Sequence, residues 1–348
     1  MVSIEVLDDC KPSGIFYGGR AGKKVGVLID GQPWILKFPR PGREPSGKHV
    51  PSYTSSPVAE WLGSHIYESL GIPAHETRLG YREGRVVCAC RDFTWPDSRL
   101  FEFSQIKTAM NDEQDGFASP PSDGSALYLS DVLATISQVP VLRETSGVIE
   151  RFWDMFVVDA LIKNPDRNNG NWGLLLDGNG TYSLAPVYDC GSALFAKRTD
   201  SVTAGRMADE NAPEEDAFSN NLSCYLLEGA DGNPHRIRPF EYLSETNDPD
   251  ALAAVKRIAE RLDLDEIDEL IDSLPREFRG RKVMGAEAAE SHKTLLRKRF
   301  NEGILPVASR QKEAEGPVSA RQALAGLGEV RISQRAMGRR NPGLDAER

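Results

Sequence analysis

A long apolar segment that runs directly into a loop of short polar side chains limits what this chain can fold into. Residues 152–162, FWDMFVVDALI, are apolar on most sides, whereas residues 164–173, NPDRNNGNWG, contain four asparagines and one carboxylate, Asp166. The chain then returns at once to the apolar residues GLLLD. This pattern predicts a helix over residues 147–164 that is central to a core, followed by a polar loop held between core elements.

A β-hairpin is predicted directly after the polar loop. Residues 173–189 read GLLLDGNGTYSLAPVYD, and Gly178, Asn179 and Gly180 are expected to supply the positive φ angles of its tight turn. The second strand would then end at Asp189. Such a hairpin folds the chain back on the polar loop.

The side chains on this loop and hairpin are of the kind that phosphoryl transfer from ATP requires. The hairpin can bring the oxygens of Asn171 and Asp189 to face one cation, and Mg²⁺ prefers hard oxygen ligands. Asp166 supplies a carboxylate for the acceptor hydroxyl.

Two hairpins are predicted in the first ninety residues. VGVLID and PWILKFP alternate around Gly31, and ETRLGYREGRVVCACRDF turns at Glu83–Gly84. Lys37 lies on a strand of the first hairpin, after the glycine-containing turn GGRAGKKVGV. A lysine on a strand under a backbone loop holds ATP phosphates in kinase-type folds. GGRAGKK does not have the spacing of a Walker A motif.

One helix is predicted between these hairpins. Ser56 and Pro57 give a helix start, and Gly71 closes the helix. Its apolar stripe consists of Val58, Leu62, Ile66 and Leu70.

Taken singly, each candidate residue has an ordinary structural explanation. Asp and Asn in loops often form turns, Asp189 suits a strand end, and Lys37 suits a solvated strand face. What indicates a kinase site is their joint occurrence in this order and on matching secondary structure.

The rest of the chain is predicted to be mainly helical, with three irregular parts. Helical patterns cover residues 250–274 and 286–300. Residues 94–125 are polar and predict a linking excursion, and residues 198–221 are polar and acidic, as in a mobile loop. From about residue 309 the chain is rich in Arg, Ala and Gly, which predicts a disordered tail.

Composition argues against several other classes of function. The formal net charge of −10 and the pI near 5.2 disfavour a surface dedicated to nucleic acid. The apolar stretch around residues 152–162 is interrupted by Asp154 and Asp159, so we expect no signal peptide or membrane span. The cysteines show no CxxC or zinc spacing, which predicts a cytoplasmic protein with reduced thiols and no structural metal; they are Cys10, Cys88, Cys90, Cys190 and Cys224.

The DRxxxN block at residues 166–171, followed by LAPVYD, resembles the HipA-like serine/threonine kinases, and most of all the shorter CtkA-like branch. The resemblance spans roughly residues 14–305. It also includes the glycine loop, WILKFP, EWLGSHIYESLGIP and VVCACRDF. It implies an α+β, bilobed protein-kinase-like fold, with a small β-rich N-lobe over residues 1–93, a helical C-lobe over 94–308, and the tail over 309–348.

The resemblance also implies a role for each candidate residue. Asp166 would act on the acceptor hydroxyl, Asn171 and Asp189 would hold Mg²⁺, and Lys37 would contact the ATP phosphates. A glycine loop would cover those phosphates; it consists of Gly18, Gly19, Arg20, Ala21, Gly22, Lys23 and Lys24. The hinge that reads adenine would consist of Cys90, Arg91 and Asp92. Glu60 would either pair with Lys37 across the cleft or face water.

The expected function is transfer of the γ-phosphate of ATP to a Ser/Thr hydroxyl of a protein, as a toxin or regulatory kinase. The alternatives are a small-molecule or lipid kinase on the same scaffold, or a nucleotide-binding pseudokinase scaffold. The expected partners are a protein substrate and an antitoxin-like protein, without direct nucleic-acid or membrane binding. A cytoplasmic location is expected, and a secreted effector role stays open.

Relatives that inactivate themselves phosphorylate a serine in the phosphate-covering loop, but residues 18–27 contain no Ser or Thr. We therefore predict that this loop is not an autophosphorylation site. The more accessible candidates are Thr199, Ser201 and Thr203.

Overall fold

The first part of the chain forms a five-stranded sheet with one helix packed on it. The computed structural model describes residues 1–18, 23–43, 49–111, 127–229 and 232–311. The elements of this first part are β1 (Glu5–Val6), β2 (Lys24–Ile29), β3 (Gln32–Lys37), β4 (Pro41–Arg43), β5 (His49–Tyr53), α1 (Ser56–Ser69), β6 (Thr77–Arg82) and β7 (Arg85–Arg91). The sheet order is β1–β6–β7–β3–β2, with β1 and β6 parallel and the other pairs antiparallel. β4 and β5 form a separate pair.

Both predicted hairpins of this region are confirmed. At the β2–β3 turn, Asp30 and Gly31 have φ angles of 51° and 76°. At the β6–β7 turn, Glu83 and Gly84 have φ angles of 51° and 72°. Positive φ at both central residues is the two-residue turn geometry that matches the twist of antiparallel strands.

Strand alternation determines which way Lys37 points. Trp34 and Leu36 of β3 belong to a small core cluster on one face of the sheet. Ile35 packs instead against the main core, which includes α1, and Lys37 shares the face of Ile35 because side chains alternate along a strand. The predicted helix α1 is confirmed, with Pro57 in its first turn.

The prediction of an irregular connecting segment over residues 94–125 is wrong in part, because residues 99–111 form regular structure. They fold into β8 (Arg99–Glu102) and α2 (Phe103–Asn111). β8 pairs with the first strand of the later hairpin, and Phe103 stacks on Trp172 with ring centroids 4.2 Å apart. These partners lie about seventy residues downstream, so the local sequence pattern does not reveal them. Residues 112–126 lie outside the described residues.

The second part of the chain is mainly helical. Its elements are α3 (Leu129–Gln138), α4 (Pro140–Glu144), α5 (Val148–Ile162), β9 (Gly173–Leu176), β10 (Tyr182–Leu184), α6 (Asp200–Met207), α7 (Ala212–Glu214), a π-helix (Glu215–Ser219), β11 (Leu226–Glu228), β12 (Pro234–Arg236), α8 (Pro239–Glu245), α9 (Pro249–Arg261), α10 (Leu264–Asp272), β13 (Glu277–Phe278), β14 (Arg281–Lys282), α11 (Ala286–Lys298) and a second π-helix (Arg299–Ile304). The predicted core helix is α5, of which twelve residues are buried.

The predicted helical region over residues 250–274 is interrupted. Asp263 caps α10 by accepting hydrogen bonds from the backbone amides of Asp265 and Glu266. This cap separates α9 from α10. Residues 305–311 continue the helical structure, and residues 312–348 of the predicted tail lie outside the described residues.

The hairpin after the polar loop is confirmed, but two of its details are wrong. Of the three predicted turn residues only Gly180 has a positive φ, 82°. β10 ends at Leu184, so Asp189 does not end a strand. It lies in an irregular segment with a φ of 61°, a left-handed conformation that is uncommon for a residue other than glycine.

The mobile loop predicted over residues 198–221 is also wrong, because this segment is largely helical. Arg198 donates two hydrogen bonds of 2.6 Å to the Asp216 carboxylate, and Arg206 approaches the same carboxylate at 3.0 Å. The polar residues that suggested a solvated loop therefore pair with each other. Among the described residues, no helix is long and apolar enough to cross a membrane.

Candidate active site

Lys37, Glu60 and Asp189 form a cluster of charged side chains between the sheet and the helical part of the chain. Lys37 Nζ lies 2.8 Å from Glu60 Oε1 and 2.9 Å from Asp189 Oδ1. Burial alone would lower the pKa of Lys37, but the two carboxylates raise it well above its ordinary 10.5. The lysine is therefore fully charged at neutral pH.

Glu60 pairs with Lys37 and does not face water, which decides between the two alternatives left open by the sequence. Its side chain is 1% exposed. Its Oε1 also lies 3.1 Å from His75 Nε2 and accepts a hydrogen bond of 3.2 Å from the Cys190 amide. Burial alone would raise the pKa of Glu60, but Lys37 and His75 lower it below its ordinary value. Glu60 is thus an anion that joins α1 to β3 and to the residue after Asp189.

A glycine on α1 allows this close approach. A Cβ atom at Gly63 would lie 2.7 Å from the Cβ of Cys190, closer than such atoms pack in proteins. The absence of that atom lets α1 contact the Asp189 segment directly.

Asp166 lies at the exposed end of the polar loop. Its Oδ1 accepts a hydrogen bond of 3.0 Å from Asn168 Nδ2, and its Oδ2 one of 3.4 Å from Ser192 Oγ. The backbone carbonyl of Asp166 accepts a further bond of 2.7 Å from Asn171 Nδ2. The carboxylate is thus oriented and still reachable from solvent.

Arg167 is a residue of this site that the sequence did not single out. Its guanidinium donates to the backbone carbonyls of Asn171 and Tyr188, the latter in a very short hydrogen bond. Its Nε donates at 2.8 Å to Asp159 of α5, and both side chains are buried. Arg167 therefore ties the polar loop to the segment that bears Asp189.

Asp159 anchors this arrangement from inside the core. Besides Arg167, it accepts hydrogen bonds from Tyr67 at 2.8 Å and from Asn164 at 3.0 Å. An aspartate in an apolar helix is itself a signal, because a buried carboxylate requires partners. That signal could have led to Arg167, which follows Asp159 by eight residues.

The predicted hinge residues lie at and just beyond the end of β7. Cys90 is fully buried, and the backbone amides of Arg91 and Asp92 donate to the carbonyls of Glu76 and Pro33 at 2.9 and 3.0 Å. Asp92 Oδ2 also accepts a hydrogen bond of 2.7 Å from Tyr17. Tyr17 precedes the glycine loop, so this bond connects that loop to the hinge.

Only part of the predicted glycine loop can be placed. Gly18, Lys23 and Lys24 are described, and residues 19–22 lie outside the described residues. Lys24 Nζ donates to the Gly18 carbonyl at 3.2 Å, which closes the base of the loop. Lys23 instead pairs with Glu83 at 2.7 Å.

Asn171 and Asp189 each keep a side-chain oxygen that could ligate a cation. Asp189 uses one carboxylate oxygen for Lys37, and within the described ranges no donor engages its second oxygen or the side-chain oxygen of Asn171. Both are hard donors of the kind that Mg²⁺ prefers.

A second group of potential metal ligands is less suitable. Ligand atoms of Glu60, His75 and Cys90 lie within 4.8 Å of one another, and all three residues are buried. The ammonium of Lys37 lies 2.8 Å from Glu60 Oε1. A metal ion there would meet a like charge.

Residues 18–262 match the family described as the HipA-like C-terminal domain, which is well over half of the chain. The chain belongs to the HipA-like family. A HipA-like relative, the serine/threonine-protein kinase CtkA of Helicobacter pylori strain J99, is 34% identical over 260 residues, covering 74% of this chain and 75% of the relative.

Two solved structures are similar to this chain in fold. The crystal structure of the H. pylori proinflammatory kinase CtkA gives a TM-score of 0.76 at 28% identity, covering 90% of this chain and 100% of that chain. HipA of Shewanella oneidensis MR-1, solved with HipB and operator DNA, gives 0.50 at 13% identity, covering 86% and 70%, and this likeness shows the fold alone. The predictions of a HipA-like kinase and of an α+β fold with a β-rich first part and a helical second part are confirmed.

Proposed function

We propose that this kinase uses ATP and Mg²⁺ to phosphorylate Ser or Thr hydroxyls of a protein. The observation that carries the proposal is the convergence of Lys37, Glu60 and Asp189 beside the loop that bears Asp166. The three charged side chains come from β3, α1 and the segment after β10, and Arg167 ties the loop that bears Asp166 to that segment. The named activity of the CtkA relative supports the acceptor class.

Lys37 would hold the phosphates of ATP. It is charged, it is fixed by Glu60, and its side chain is 17% exposed, so a phosphate oxygen can reach the ammonium. The loop over residues 18–24 would cover the same phosphates. Charge neutralisation at fixed positions supplies most of the catalysis in phosphoryl transfer.

Asp166 would orient the acceptor hydroxyl and receive its proton. As the oxygen–phosphorus bond to the acceptor forms, the bond between the γ-phosphorus and the bridging oxygen of ADP breaks. Asn168 and Ser192 keep the Asp166 carboxylate in place during this exchange. Asn171 and Asp189 would hold Mg²⁺, which when bound offsets the negative charge of the phosphates.

The hinge at Cys90, Arg91 and Asp92 would contact adenine through a backbone carbonyl. The amides of Arg91 and Asp92 already have backbone acceptors, so they are not free to donate to the base. The adenine amino group can donate to a carbonyl of the same stretch.

A toxin role and an antitoxin-like partner stay predictions. The S. oneidensis HipA structure contains HipB and operator DNA, but at 13% identity it supports only the fold. The residues of this chain that would contact such a partner are not indicated by that likeness.

The proposal is tested by incubating the protein with Mg²⁺, [γ-³²P]ATP and a bacterial lysate, then separating protein, lipid and small-molecule fractions. We expect label on Ser or Thr of protein, and loss of that label with Asp166→Ala. Asp209→Ala, which removes an exposed carboxylate outside the site, is the matched control. Label confined to the lipid or small-molecule fraction would contradict a protein acceptor and favour a lipid or small-molecule kinase. No label in any fraction would favour a pseudokinase scaffold.

A further inference from the structure

A cavity of about 300 Å³ lies outside the cluster of Lys37, Glu60 and Asp189. Its walls come from the first turn of α1, the segment after Asp189, β14 and the start of α11. Lys37, Asp166 and Asn171 do not line it, and neither does Asp189. The proposed phosphoryl transfer therefore gives this cavity no role.

The cavity has an excess of positive charge, although the chain is acidic. One acidic residue, Asp200, lines it together with four cations, whereas the formal net charge of the chain is −10. The cations are Arg85, Arg198, Arg281 and Lys282. Charge of this sign in a concave site attracts an anion.

Arg281 is the cation that remains for a ligand. The other three pair with carboxylates of the chain itself: Lys282 with Asp200, Arg198 with Asp216, and Arg85 with Glu83. Within the part of the chain that the structure describes, the Arg281 side chain has no ion pair or hydrogen bond. A guanidinium can bind a phosphate or carboxylate through two parallel hydrogen bonds.

Three helices begin at the cavity wall. Ser55 and Thr199 precede α1 and α6, Gly285 precedes α11, and all three residues line the cavity. A helix N-terminus carries partial positive charge. Neither Ser55 nor Gly285 provides a capping side-chain hydrogen bond. Glu287 offsets part of the charge in the first turn of α11, whereas the first turn of α1 has no acidic residue.

His292 adds a buried polar group with an unmet hydrogen bond. It lines the cavity, is 8% exposed, and its Nδ1 has no partner among the described residues. Burial, followed by the charges of Arg299 and Arg198, lowers the pKa of His292 to about 4, so the ring is neutral at pH 7. A buried polar atom without a partner is destabilising, and this one belongs to a residue of the cavity wall.

Part of the cavity wall is apolar, so the portion of the ligand away from its anionic group should be apolar as well. The aliphatic lining residues are Val58, Val86, Leu194, Val283, Met284 and Ala288. We propose that this cavity binds a small organic anion, with a phosphate or carboxylate at Arg281 and the helix N-termini and an apolar body against the aliphatic wall. Since Ser55 donates its amide to Ala196 at 3.0 Å, the ligand would span α1 and the segment after Asp189 where they already touch.

Binding of phenyl phosphate and of benzoate to the full chain, measured by isothermal titration calorimetry without nucleotide, tests this proposal. Benzyl alcohol is the neutral probe of similar size. We expect at least one anion to bind and benzyl alcohol not to bind, and the better anion identifies phosphate or carboxylate as the preferred group. Saturating Mg-ATP should not displace the anion, because Lys37 and Asp189 do not line the cavity.

Arg281→Gln should weaken the binding about tenfold or more, because a charge-assisted hydrogen bond is lost. Arg279→Gln removes a cation two residues away that does not line the cavity, and it should bind like the parent. Ala288→Phe should fill the cavity and abolish binding, and circular dichroism melts would verify that each variant is folded.

Four results would overturn the proposal, and three of them are no binding of either anion, equal binding by the parent and Arg281→Gln, and complete displacement by Mg-ATP. A fourth would be a phosphoryl group on Thr199 of the purified protein, with no anion binding after phosphatase treatment. In that case the cavity would hold the phosphorylated Thr199 of the chain itself and not a separate ligand.

Discussion

Lys37 Nζ lies 2.9 Å from Asp189 Oδ1, which joins a strand of the first sheet to a residue 152 positions later in the chain. The same ammonium contacts Glu60 at 2.8 Å. The cation is therefore held by one carboxylate from each side of the cleft. In the proposed function a phosphate at Lys37 would add a third anion, and the second oxygen of Asp189 would be left for a metal ion.

Asp189→Asn should reduce the effect of Mg²⁺ on nucleotide binding. In the parent we expect ATP to raise the melting temperature more with Mg²⁺ than without it, because the cation links the phosphates to Asn171 and Asp189. The variant keeps the size of the side chain but loses its charge. The rise in melting temperature caused by ATP should therefore become similar with and without Mg²⁺. Thermal shift assays with and without Mg²⁺ measure this, and Asp177→Asn at the hairpin turn is the control. Equal shifts in the parent protein would contradict the metal site.

Asp166→Ala should separate chemistry from binding. In the proposed mechanism Asp166 acts on the acceptor and not on ATP, so ATP affinity should be kept while kcat falls by about 10²-fold or more. Lys37→Ala should weaken both. Calorimetric ATP titration and initial rates decide between these patterns, and full activity of Asp166→Ala would remove its catalytic assignment.

Arg167→Met should destabilise the protein by about 3–5 kcal/mol, because it leaves Asp159 buried without its ionic partner. Urea denaturation followed by circular dichroism gives the free energy of unfolding. In a double-mutant cycle, Asp159→Asn combined with Arg167→Met should cost less than the sum of the two single changes. Strict additivity would mean that the two side chains do not stabilise each other.

Protonation of His292 should make stability depend on pH between 5 and 6.5. The pKa of His292 is about 4 in the folded chain, below its ordinary 6.5, so the unfolded chain binds the extra proton in this range. Stability is therefore lost as the pH falls from 6.5, by up to about 1.4 kcal/mol per pH unit. His292→Phe should flatten this slope, whereas His235→Phe at an exposed position should not. Identical slopes in the parent and His292→Phe would refute this assignment.

Autophosphorylation, if the protein modifies itself, should fall on Ser201 or Thr199 and not on residues 17–24. The phosphate loop has no Ser or Thr, and Thr203 is buried with its hydroxyl donating to the Thr199 carbonyl. Ser201 is exposed and Thr199 is half-buried at the start of α6. Mass spectrometry after incubation with Mg-ATP locates the phosphate. Stoichiometric modification of residues 17–24 that silences the enzyme would contradict this prediction.

The local elements of this protein could be predicted from the sequence because their signals lie within a few neighbouring residues. Alternation around Gly31 and Glu83–Gly84 specifies two hairpins, and Pro57 and Gly71 bound α1. The order of Lys37, Asp166, Asn171 and Asp189 along the chain is likewise visible without coordinates. These features depend on backbone conformation and side-chain type alone.

Tertiary structure decided which side chains meet. The pairing of Glu60 with Lys37, the burial of Arg167 against Asp159, and the strand β8 each depend on contacts between segments distant in sequence. The polar residues around Arg198 predict a mobile loop, whereas in the structure Arg198 and Arg206 pair with Asp216. A short window of sequence shows that a charge is present, but only the packed chain determines whether that charge faces water or a partner.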